Sequence, residues 1–151
     1  MSLIAPPADR PVFFVHASVV ITDGDRVLFV EEGKPSIRNR WNLPGGHLDH
    51  GESPIDGAIR EAAEEVCLTV NASYLVGIYA SHKAVRFVMA ADLREGAPQA
   101  GDEILSIKWM RWDELFALPD EQLVSPATLR LIRDDMKREN PIPLNAVRHV
   151  V

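Results

Sequence analysis

The chain has 151 residues, 46% hydrophobic and 25% charged, which suits one ordinary soluble domain over residues 1–151 and excludes disorder. A net charge of −6 argues against wrapping a nucleic-acid backbone, which needs basic patches. It leaves room for a small anionic substrate whose charge a metal ion offsets. No apolar run approaches the roughly 18–20 residues of a bilayer crossing, and Met1–Pro11 is polar and proline-containing, unlike a signal peptide. A cytoplasmic protein without membrane contact is the expectation.

In chain order, Val12–Thr22 is rich in β-branched and aromatic residues and reads as a strand. Asp23-Gly24 signals a turn, and Arg26–Glu31 resumes as the second arm of a hairpin. Gly33–Arg40 reads as a loop, and Trp41–Leu43 as a short extended piece stopped by Pro44-Gly45-Gly46. Ser53-Pro54 opens a helix that runs to Val66 or Cys67: serine caps, proline suits the first position, and Asp56 adds first-turn charge. Ile55, Ala58, Ile59, Ala62 and Val66 form its apolar face.

Tyr74–Ala80 and Val85–Leu93 read as strands joined by Ser81-His82-Lys83. Arg94–Asp102 is a loop, Ile104–Met110 a strand, and Asp113–Leu118 a short helix. Ser125-Pro126 opens a last helix over Ala127–Arg138. Strands and helices without regular alternation predict an α+β fold, a mixed sheet with helices on its faces. The one cysteine, Cys67, excludes an intrachain disulfide and a cysteine zinc cluster. Between Val66 and Leu68 it is expected to be a small buried hydrophobe rather than a reactive thiol.

Glu61, Glu64 and Glu65 stand at i, i+3 and i+4. About 100° per residue points them into one sector, opposite part of the apolar stripe. Like charges so placed cost roughly 0.2–0.5 kcal/mol per pair. Taken alone, that face reads first as a solvated acidic surface. A cluster of carboxylates is also what a hard cation such as Mg2+ takes alongside substrate phosphates.

The surroundings of the helix add a pattern. Gly46, five residues, Glu52, seven residues, Arg60-Glu61, two residues and Glu64-Glu65 follow one another. The spacing resembles the signature of the Nudix hydrolase family, and Gly46–Leu68 matches every charged position. Ala62 is small for its hydrophobic place, and Cys67 stands where the family has glycine, which puts the helix exit in question.

The resemblance implies a Nudix fold, an α/β/α sandwich, and diphosphate hydrolysis with Mg2+, or Mn2+ as the alternative. It implies that Glu61 is a metal ligand and in some members the base, and that Glu64 and Glu65 bind metal. The Gly45 carbonyl is a further ligand, and Arg60 orients the catalytic glutamate and pairs with Glu52. Glu103, at the end of a later loop, is either a further metal ligand or an ordinary loop acid. The chemistry requires charge neutralised on phosphate oxygens, a water made nucleophilic and a carboxylate to take its proton.

Val30-Glu31-Glu32 and Trp41–Leu48, with Ser125-Pro126 and Pro141-Ile142-Pro143-Leu144, resemble a branch of small bacterial Nudix enzymes. That branch acts on nucleoside di- and triphosphates and on the pyrophosphate of the thiamin pyrimidine precursor. Trp41 is a candidate for ring stacking or for packing. Lys34, Arg38, Arg40 and Arg86 are candidates for the substrate's phosphates, with Arg86 on a strand facing the cleft. His82 reads as an exposed loop residue, and Trp109 and Trp112 as structural. The expected partner is a small diphosphate substrate, with monomer or homodimer left open. The alternatives are a non-catalytic nucleotide-binding module and an RNA 5′ pyrophosphohydrolase, which the acidic charge disfavours.

Overall fold

The computed structural model describes residues 5, 7–93 and 95–150. Residues 1–4, 6, 94 and 151 lie outside that set, which removes part of the Met1–Pro11 segment and the head of the Arg94–Asp102 loop. Among the described residues, no helix is long and apolar enough to cross a membrane.

Among the described residues, seven strands form one mixed sheet around β1 (Phe14–Asp23). From Phe14 to Thr22, β1 pairs in parallel with β6 (Ala84–Asp92), and β5 (Tyr74–Ala80) lies antiparallel beyond β6. The opposite edge of β1 is shared. Its first half takes β4 (Gly45–His47), with Ala17 opposite Gly46 and Ser18 opposite Gly45. Its end takes β2 (Arg26–Glu32) through a turn in which Gly24 has φ +63°. β2 then pairs with β3 (Trp41–Asn42) and β7 (Ile104–Met110). β2 and β4 therefore leave one strand edge at two points, and the sheet forks between them.

The central strands are covered on both faces, so their sequences are nearly continuous apolar runs rather than alternations. On one side Ala17, Val19, Ile21, Leu28 and Val30 meet Ala58, Ala62 and Val66 of α1 (Pro54–Val66). On the other, Val20, Phe29 and Val88 meet Leu115 of α2 (Trp112–Phe116) and Leu129 and Ile132 of α3 (Pro126–Asp135). Fully burying one such side chain contributes about 1.5–3 kcal/mol. The result is the expected α+β sandwich, helix layers on both faces of a mixed sheet.

α1 begins as its sequence dictates: Ser53 Oγ accepts the Asp56 amide at 3.1 Å, with Pro54 at the first helical position. It ends at Cys67, which takes the left-handed conformation of the glycine it replaces (φ +59°, ψ +33°) and donates its N–H to the Ala62 carbonyl. Gln99 and Gly101 donate to the carbonyls of Val66 and Glu65, so the later loop caps this end.

Three expectations need correction. Cys67 is exposed, not a buried hydrophobe, because the left-handed turn swings it off the helix's apolar face. Gly45–His47, whose two glycines read as a stop and whose histidine as the lead into the helix, is a strand, held by backbone pairing to β1 that no side chain announces. α3 stops at Asp135 rather than Arg138, and Ser125 precedes it with φ +49° and no side-chain cap bond.

Candidate active site

The glutamate helix lies across β1 and β4. The three acids do not share one exposed sector. Glu61 and Glu65, 7% and 5% exposed, turn into the sheet, while the Glu64 side chain stays 59% exposed. Glycine makes the inward turn possible: a Cβ on Gly46 would stand 2.5 Å from Glu61 Oε1. A Cβ on Gly45 would collide with Ser18 Oγ and the Ala17 carbonyl, so neither position admits a side chain without displacement.

Arg60 organises the rim. Its Nε and Nη2 donate to the two carboxylate oxygens of Glu52 at 2.7 and 2.9 Å, a two-pronged pairing. Nη1 donates to Glu61 Oε1 and Glu64 Oε2, both at 3.1 Å, and Nη2 to the His47 carbonyl at 3.0 Å. Asp49 adds an ion pair at 3.2 Å. One guanidinium thus joins the loop before the helix, β4 and two helix glutamates. The Arg60 hydrogen bonds hold the Glu52 carboxyl below its ordinary range, and the Glu52 bonds in turn keep Arg60 firmly charged.

Deeper in, the electrostatics invert. Both carboxylate oxygens of Glu65 are buried without a hydrogen-bond partner, and so is Oε2 of Glu32, which is 1% exposed. Burial, followed by the charges of Glu32 and Glu61, pushes the Glu65 carboxyl well above its ordinary value. Burial also raises Glu32. An unpartnered buried carboxylate is costly unless it binds a proton or a cation. Oxygen-only donors beside a rim of further glutamates fit a hard divalent ion. Among the described residues, no three acidic, imidazole or thiol groups already form a coordination shell. Glu61 and Glu64, like Glu52, are instead engaged by Arg60.

A cavity of 320 Å³ opens beside this cluster, at the fork of the sheet. Glu32, Asn42, Gly45 and Gly46 line it on one side, Lys34, Ser36 and Ile37 along the loop, and Tyr79, Arg86 and Thr128 opposite. Arg86 crosses the floor, donating from Nε to Ser18 Oγ at 2.9 Å and from Nη2 to Asn42 Oδ1 at 2.7 Å. Burial lowers it to about 10, against the pull of Glu32 and Glu65. Asn42 Nδ2 donates to Glu32 Oε1 at 3.2 Å, which links the floor to the acid cluster.

Of the substrate candidates named from sequence, Lys34 and Arg86 reach this cavity, and Trp41, Arg38 and Arg40 do not line it. Trp41 packs on the α3-side core, and its carbonyl accepts from the Val124 amide. Arg40 is exposed and contributes its carbonyl to the Glu32 amide. Arg38 donates to the Gly33 carbonyl. Glu103 is exposed at the loop end, its carbonyl accepting from Gly33. Sequence reasoning assigned no role to Glu32, Asn42 or Ser18. The available signal for Glu32 was two acids in succession closing an apolar strand, of which alternation sends one inward.

The family model described as NUDIX domain matches residues 12–131. The chain is 30% identical over 138 residues to 8-oxo-dGDP phosphatase NUDT18 of Danio rerio, covering 87% of this chain and 41% of that protein. It is 27% identical over 118 residues to a MutT-like protein of Streptomyces ambofaciens, covering 77% of this chain and 72% of that one. The chain therefore spans about two fifths of the NUDT18 length. Among solved structures, a NUDIX hydrolase from Nitrosomonas europaea superposes with a TM-score of 0.80 at 26% identity, over 93% of this chain and 98% of that one. With that domain model spanning both the glutamate helix and the forked cavity, the chain belongs to the NUDIX family.

Proposed function

We propose that this chain hydrolyses the diphosphate bond of a small nucleotide-like substrate, with a nucleoside diphosphate as the first choice. Mg2+ or Mn2+ would be held by Glu61, Glu64, Glu65 and the Gly45 carbonyl, with Glu103 at the rim. The bound ion supplies positive charge to the phosphate oxygens. Arg60, anchored by Glu52, keeps Glu61 and Glu64 aligned, and one of these two carboxylates takes the proton as water attacks phosphorus and the anhydride P–O bond breaks. Lys34 and Arg86 receive the rest of the substrate.

The observation that carries this reading is the pair of unpartnered Glu65 oxygens beside a cavity floored by a guanidinium. The names of relatives support the substrate class: 8-oxo-dGDP phosphatase in both Danio rerio and Homo sapiens. A structural neighbour from Francisella tularensis, an NMN adenylyltransferase/ADP ribose pyrophosphatase, was solved with AMP and a Mn ion. The test is phosphate and pyrophosphate release from nucleoside di- and triphosphates, ADP-ribose and the thiamin pyrimidine pyrophosphate, with Mg2+, with Mn2+ and in EDTA. Metal-dependent turnover that Glu61→Gln abolishes is expected. Absence of metal-dependent turnover on every diphosphate overturns the reading.

A further inference from the structure

We propose that Glu32, on β2 and outside the glutamate helix, is a further cation ligand: its free carboxylate oxygen joins Glu65 in holding a divalent ion between sheet and helix. The inference rests on the metal-dependent reading above and adds a residue to it.

Glu32 is 1% exposed, yet only one of its oxygens is satisfied. Asn42 Nδ2 fixes Oε1 at 3.2 Å, and Oε2 has no donor. Glu65, on the helix, has none for either oxygen. Glu32 is the strongest charge felt by Glu65, while Lys34 is the strongest charge felt by Glu32. Two buried carboxylates with three orphaned oxygens are repulsive as a pair. A hard cation between them removes the repulsion and satisfies all three atoms.

The competing explanation is that Glu32 only balances Lys34 and the half-buried Arg86. The hydrogen bonds do not favour it. Arg86 feels the charge of Glu32 but spends its hydrogen bonds on Ser18 and Asn42 rather than on that carboxylate. The Asn42 amide is itself fixed, since Oδ1 accepts both Arg86 and the Leu43 amide, so it holds Glu32 by one oxygen and leaves the other free. Only oxygen donors are offered, which suits Mg2+ or Mn2+ over softer ions.

The experiment is Mn2+ binding to the full chain without substrate, by calorimetric titration and by electron paramagnetic resonance of free Mn2+. Wild type is compared with Glu32→Gln and Glu32→Asp. Both variants are expected to lose one ion per chain or to bind it about tenfold more weakly or worse. Glu32→Asp keeps the charge that Lys34 and Arg86 would need but withdraws the oxygens, so a pure counter-ion role leaves its Mn2+ affinity unchanged. It also carries the test if Glu32→Gln does not fold. Wild-type stoichiometry and affinity in Glu32→Asp overturn the inference. A wild type that binds no Mn2+ overturns both this inference and the metal-dependent reading. Glu32-dependent Mn2+ binding without hydrolysis of any diphosphate upholds this inference and refutes the hydrolase reading alone.

Discussion

Replacing Cys67 with glycine should make the protein more stable. Cys67 sits at φ +59°, where an L side chain crowds its own carbonyl at a cost of roughly 1–2 kcal/mol. Glycine removes that strain but gives the unfolded chain extra freedom, which takes back about 0.5–1 kcal/mol. The thiol is exposed, so little packing is lost, and the Cys67 amide keeps its bond to the Ala62 carbonyl in either variant. A net gain of about 0.5–1 kcal/mol remains, or a rise in Tm of about 1–4 °C for a chain of this size. Cys67→Ala is the control: it removes the sulfur, keeps the Cβ and the strain, and should stay within about 0.5 kcal/mol of wild type. Calorimetry under reducing conditions, backed by urea midpoints, reads both. A Cys67→Gly protein no more stable than Cys67→Ala would refute the strain argument.

Gly46→Ala places a methyl 2.5 Å from Glu61 Oε1 and should cut turnover about a hundredfold while Tm moves little, measured by steady-state kinetics beside a melt; near-normal kcat would count against Glu61 as a reacting group. His16 is held down to about 4 by burial and then by the charges of His47, Arg86 and Lys34. The unfolded chain thus takes up the proton first, so this contribution is whole above pH 6.5 and fades as pH falls toward 4. After allowing for its partial contact with solvent, it amounts to about 1–2 kcal/mol. Unfolding free energies of wild type and His16→Gln at pH 7 and pH 4.5 should diverge accordingly, and parallel losses would exclude His16 as the source. Tyr79 Oη donates to Asp135 Oδ2 at 2.7 Å and ties β5 to α3. Tyr79→Phe should lower stability by about 1 kcal/mol in denaturant titrations, and no change would show that the bond merely replaces one with water.

The chain order of strands and helices was legible because most elements carry their own signal. α1 announces its start by Ser53-Pro54 and its buried face by Ala58, Ala62 and Val66. β4 was not legible, since two glycines and a histidine carry no strand preference and pair only because β1 offers an edge. The helix wheel grouped Glu61, Glu64 and Glu65 correctly in angle. It could not say that glycine-lined backbone would admit Glu61 and Glu65 and leave Glu64 outside. Glu32 was invisible for a related reason: acids at strand ends usually reach water, and its burial depends on a loop and on Asn42, ten residues away. Arg86 was read as facing the cleft because it lies on a strand, but that it bonds Ser18 follows from the parallel register of β1 and β6, which local sequence does not encode.

The division of β1's free edge between β2 and β4 separates two tasks in space. One prong leads to the glycines that seat the acidic helix, and the other to the 33–40 segment and its wall of the cleft. Recutting that segment would redimension the chamber while the acidic helix stays in register. The shape of the cavity and the seating of the glutamates can therefore drift under independent sets of substitutions.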